Sequence, residues 1–127
     1  MKISELNEDA VKIKNLNRFA RWACEQLGID RADDIKYGTD MEPVKTHRTF
    51  GSTKPDGAIW VHIKNRNTAD IMRTLCHELV HRYQFEQGTA STDMSEDERQ
   101  AIEDEANAVA GRMMREYGRL HSTIYDK

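Results

Sequence analysis

Between Thr68 and Gly88 the apolar residues Ile71, Met72, Leu75, Cys76, Leu79, Val80 and Tyr83 recur at three- and four-residue spacing, which is the signature of one buried face of an α-helix. His77 and His81 lie off that stripe. Four residues apart, they project from the opposite side of the same helix, one turn from each other. The stripe commits this segment to packing on a core, and the two imidazoles are left facing a cleft or the surface. The five residues His77-Glu78-Leu79-Val80-His81 read H-E-x-x-H. Two imidazoles in this relation can reach a single ion, and the glutamate beside the first can touch a water on that ion. His77 and His81 are therefore candidate metal ligands, Glu78 is a candidate general base, and Zn2+ is the expected ion. Cys76 adjoins the motif but falls on the apolar stripe, so it reads as a small buried residue. Arg82 is charged where the flanks of such a motif are usually uncharged.

The rest of the chain supplies a frame for that helix. Ser4 or Asn7 can cap a first helix whose apolar positions are Ile13, Leu16, Phe19, Ala20, Ala23 and Leu27. Gly28 followed by Ile29 has the form of a left-handed C-terminal cap with its hydrophobic contact. The middle reads as short strands: one around Ile35 and Tyr37, one over Val44 to Phe50, and one over Ala58 to Lys64. Gly51 to Gly57, with Pro55-Asp56-Gly57, turns between the last two. In the third strand Ile59, Val61 and Ile63 face one way, and Ala58, Trp60 and His62 the other. Asn65 to Thr68 opens the motif helix. Ser95-Glu96-Asp97-Glu98 is a capping box that opens a last long helix ending near Gly118. The expected fold is α+β: N-terminal helix, small antiparallel sheet, motif helix, C-terminal helix, in one domain over 1–127.

Composition narrows the partners. The chain has 127 residues, 32% of them charged, and a formal net charge of −3, which gives no global attraction for nucleic acid or an anionic membrane. Lys12, Lys14, Arg18 and Arg21 alternate with apolar positions and read as the wet face of the first helix. Cys24 and Cys76 form neither a C-x-x-C pair nor a disulfide framework. The opening residues lack the apolar core of a signal peptide, and no apolar run approaches membrane-spanning length. The expected compartment is the cytoplasm.

A catalytic zinc site needs a third protein ligand and an open fourth position. The only histidine after the motif is His121, near the end of the last helix, so an acidic side chain earlier on that helix is the better candidate. With Ile102, Ala106, Val109, Met113 and Leu120 taken as its apolar stripe, Glu103 and Glu105 flank the stripe at similar angles and Asp104 points away. Periodicity rejects Asp104 and leaves both glutamates open. Ala106, Ala108, Ala110 and Gly111 make this helix thin enough to approach a neighbour closely.

His77-Glu78-Leu79-Val80-His81 followed by Glu105-Ala106-Asn107-Ala108-Val109-Ala110 resembles the ImmA/IrrE-type metallopeptidases, over roughly residues 58–114, and more broadly the minimal gluzincins. The resemblance implies a zincin-like fold, a zinc ion held by His77, His81 and Glu105, and Glu78 as the catalytic glutamate. It also implies a peptide or protein substrate. The chain departs from the pattern in carrying Val80 where glycine is usual. Through H-E-L-V-H it is similar also to SprT-like proteins, which implies as alternative a DNA-associated protease. A third possibility is a zincin-fold binding module that holds zinc without turnover. For a second donor to the oxyanion of a peptidase, Tyr117, Tyr125, Arg112 and His62 are open nominees. His62 reads either as solvent-facing or as lining the cleft, and Trp60, on the same strand face, as lining the cleft or covering the sheet.

Overall fold

Three helices and three short strands carry the described residues, 3–30, 34–39 and 50–121, of the computed structural model. Helix α1 spans Ile3–Leu27. It begins before Ser4 and Asn7, so neither is its cap. Leu16, Phe19, Ala20 and Ala23 are fully buried along one face, with Ile13, Trp22 and Leu27 packed at its margins. Gly28 ends the helix at φ +68°, and the Ile29 amide reaches back to the Cys24 carbonyl at 3.0 Å. That bond and the burial of Ile29 are the left-handed cap that Gly28 announced.

The sheet contains β1 (Ile35–Gly38), β2 (Gly51–Thr53) and β3 (Ile59–His62), in the order β1-β3-β2. β2 pairs with β3 antiparallel, Gly51 opposite Val61, but β1 pairs with β3 parallel, Ile35 opposite Ile59. The sheet is therefore mixed, not antiparallel. Parallel neighbours need a connection of about a dozen residues or more, and the segment between Gly38 and Ile59, which includes β2, provides it. The turn is tighter than expected. Gly51 to Thr53 is strand, and Lys54 to Ala58 closes the hairpin with a Lys54 N–H to Ala58 carbonyl bond of 2.9 Å and Gly57 at φ +95°. The strand expected over Val44 to Phe50 lies outside the described residues except for Phe50, a bend.

Helix α2 spans Thr68–Gln87. Asn67 caps it through Asp70 N–H, 2.9 Å from Asn67 Oδ1, and Gly88 closes it at φ +77°. Helix α3 spans Glu96–Leu120 and opens with the Ser95–Glu98 capping box. The core joins Leu16 and Phe19 of α1, Ile35, Ile59, Val61 and Ile63 of the sheet region, Ile71, Leu75 and Leu79 of α2, and Ala110, Met114 and Tyr117 of α3. α2 sits at its centre, packed on α1, α3, β2 and β3. Ile59, Val61 and Ile63 point into this core, as their alternation predicted.

The opposite strand face is also covered. Trp60 lies over Gly38, where any Cβ would overlap its indole. His62 is 1% exposed, between the rings of Phe50 and Trp60 at 6.0 and 6.1 Å. It neither faces solvent nor lines the cleft. Among the described residues no helix is long and apolar enough to cross a membrane.

Candidate metal centre

α2 turns its apolar stripe onto the core and presents His77 and His81 to α3. Their side chains are 20% and 12% exposed, and the carboxylate that meets them, 50% exposed, belongs to Glu103. Glu103 Oε2 is 3.1 Å from His77 Nε2 and Oε1 is 3.1 Å from His81 Nε2. The two Nε2 atoms are 2.9 Å apart, with the rings edge to face. Glu103 thus stands where Glu105 was expected.

The reason lies in which residues of α3 are buried. They are Ala106, Ala110, Met113, Met114 and Tyr117, while Ile102 and Val109 are only half-buried and Leu120 is exposed. Replacing the larger aliphatics by Ala110, Met114 and Tyr117 rotates the stripe by roughly 55° at about 100° per residue. Glu103 then falls roughly 35° from its centre and Glu105 roughly 125° away. A helix so thin at Ala106 and Ala110 brings the Glu103 carboxylate against α2.

Three residues whose ligand atoms converge like this could hold a metal ion. Tetrahedral ligands at 2.0–2.1 Å from zinc lie about 3.3 Å apart; the two Nε2 atoms, 2.9 Å apart, and each Nε2 and its own Glu103 oxygen, 3.1 Å apart, are near that spacing. Two imidazoles and a carboxylate also suit the chemistry of zinc and of several other divalent first-row metals.

Glu78 faces β2. Its side chain is buried, and the Thr53 hydroxyl lies 2.7 Å from Oε1 and 2.9 Å from the Glu78 carbonyl oxygen. Burial pushes its carboxyl above the ordinary carboxylate range, and the Thr53 hydrogen bond works in the other direction. Gly51 permits this approach of β2 to α2: a Cβ there would stand 2.7 Å from Thr74 Cγ2 and 3.1 Å from Glu78 Cγ. His77 and Glu78 together line a cleft of about 500 Å³, walled by Phe50 and Gly51 on one side and Asn107, Ala110 and Gly111 on the other. No protein-family model, curated protein or solved structure gives a significant match to this chain.

Four residues complete the centre that periodicity did not single out. Thr53 orients Glu78. Asn107, one turn after Glu103, puts an amide on the cleft wall. Gln84, 0% exposed, bridges the two helices. Its Oε1 is 2.8 Å from His81 Nδ1, and its Nε2 is 2.8 Å from Glu105 Oε1 and 3.0 Å from the Ile102 carbonyl. Asp34 answers the anomaly of Arg82. Arg82 is 4% exposed, and its guanidinium donates to both Asp34 oxygens, at 2.9 and 3.2 Å, so the charge beside the motif is paired.

The other nominees stand elsewhere. Tyr117 is buried against Phe19 and Trp22, and Trp22 shares that cluster. Arg112 lines a separate cavity of about 890 Å³ between α1 and α3, with Trp22, Arg115 and Arg119. Tyr125 is outside the described residues. Cys76 points into the core, its thiol 3.8 Å from Met113 Sδ and pushed up by burial to about 12.

Proposed function

We propose that the chain is a zinc-dependent peptidase, with His77, His81 and Glu103 as ligands and Glu78 as general base. The observation that carries this reading is Glu78. A site that only binds metal has no use for a buried, hydrogen-bonded carboxylate on the wall of a cleft shared with a ligand. A bound zinc ion supplies a Lewis acid that lowers the pKa of coordinated water toward 7. Glu78 takes a proton from the attacking water and returns it to the leaving amine, and Thr53 keeps its carboxylate aimed while it does so. Desolvation of Glu78 strengthens it as a base. Among the described residues β2 is an edge of the sheet and runs beside the cleft, where an extended peptide could add as a further strand. Asn107 offers an amide donor for its carbonyl groups.

Glu78→Gln is the direct test. The variant should bind zinc with unchanged stoichiometry by elemental analysis and lose about 10²–10⁴-fold in peptide hydrolysis. Wild-type turnover by this variant would remove Glu78 from the mechanism. The same metal analysis on protein from cells decides between zinc and iron, which also accepts two histidines and a carboxylate.

A further inference from the structure

We propose that Gln84 is a positioning residue that locks His81 in its Nδ1–H tautomer, and that Glu105 acts through it by anchoring its amide. The inference rests on the metal-centre reading only for its consequence; the tautomer itself follows from hydrogen bonding. An amide has one end that donates and one that accepts. One end of Gln84 meets the Ile102 carbonyl at 3.0 Å and Glu105 Oε1 at 2.8 Å. A backbone carbonyl can only accept, so the NH2 group must be at this end. The Gln84 Oε1 is then committed to His81 Nδ1 at 2.8 Å, and two acceptors cannot share that contact. Nδ1 must carry the proton.

A neutral ring has one proton to place, so with Nδ1 protonated His81 Nε2 keeps its lone pair, although the Glu103 oxygen 3.1 Å away is an acceptor that competes for a proton there. That nitrogen stands 2.9 Å from His77 Nε2 and 3.1 Å from Glu103 Oε1. The lone pair is directed into the space a shared cation would fill. Gln84 is fixed at both ends: its side chain spans α2 and α3, and its own carbonyl accepts from Thr89 N–H at 3.0 Å, Ala90 N–H at 3.1 Å and Thr89 Oγ1 at 3.1 Å. Glu105 therefore contributes without reaching the ion. It holds the amide, the amide orients the imidazole, and the imidazole presents the ligand atom.

The test uses nitrogen chemical shifts of the imidazoles in the metal-free full chain, at a pH high enough that the shifts themselves show neutral rings. His81 should show a protonated Nδ1 and a bare Nε2 in the wild type. Gln84→Met keeps the shape and removes the amide. It should allow the Nε2–H form of His81 and weaken zinc binding about 10–100-fold. Glu105→Gln, which keeps an acceptor for Gln84, should retain the wild-type tautomer. A wild-type His81 protonated at Nε2, or an unchanged tautomer in Gln84→Met, would overturn the proposal. The wild-type measurement needs neither variant, metal nor substrate. Failure of the peptidase reading leaves it standing, and its own failure leaves Glu78 catalysis untouched.

Discussion

Glu103 and Glu105 differ by two positions on α3, yet one meets both imidazoles and the other meets an amide. Their expected losses differ accordingly. Glu103→Ala should cost more than about 100-fold in zinc affinity, because it removes a donor atom, whereas Glu105→Ala should stay within the roughly 10–100-fold typical of an outer partner. Competition with a chelator of known affinity measures both, and the reverse order would return the ligand role to Glu105. At this scale the sequence showed the residues of the motif but not its neighbours. His77, Glu78 and His81 were legible because helix geometry alone relates them. Thr53, Asp34, Gln84 and Asn107 were not, because each acts across elements that only folding brings together. Periodicity left the two glutamates open for a traceable reason, and the resemblance then pointed to Glu105: Ile102, Val109 and Leu120 were weighted by hydrophobicity, while the face that packs on α2 is set by the small residues Ala106 and Ala110.

The contact between β2 and α2 controls where Glu78 points. Gly51→Ala places a methyl 2.7 Å from Thr74 Cγ2, so β2 must withdraw and Thr53 moves with it. The expected cost is about 1–3 kcal/mol in unfolding free energy, with activity falling as well. Adding Thr74→Ser removes the clashing methyl and keeps the hydroxyl, which bonds Arg66 at 2.6 Å. It should recover part of both losses, read by denaturation midpoint and peptide turnover. No recovery would place the strain at Glu78 Cγ instead. Most helix ends were legible, the start of α1 excepted, since Gly28, Asn67, Gly88 and the Ser95–Glu98 box satisfy backbone groups locally. Strand direction was not: Ile35 and Tyr37 announce a strand, but nothing in their alternation states whether its partner runs with it or against it.

The whole molecule rests on α2, which is packed on both other helices and on the sheet, so the residues beneath the motif open only when the core does. Cys76 reports on this: it is 0% exposed and its thiol is pushed up to about 12. It should resist alkylation at neutral pH, and its labelling rate, followed by mass spectrometry, should track global unfolding. Fast native labelling would show that α2 lifts from the core on its own. By itself the sequence determined an α+β chain, three helices with the caps at Gly28, Gly88 and Ser95, the core face of α2 and an i, i+4 histidine pair with a glutamate between them, because all of these depend on spacings along one element. The tertiary structure alone decided that the sheet is mixed, that His62 is buried, that Arg82 is paired with Asp34 and that Glu103 faces the histidines. Those depend on how one helix is rotated and how one strand is placed against another; for Glu103 and for the approach of β2 to Glu78 the deciding contacts are those of Ala106, Ala110 and Gly51, where the side chains are least conspicuous.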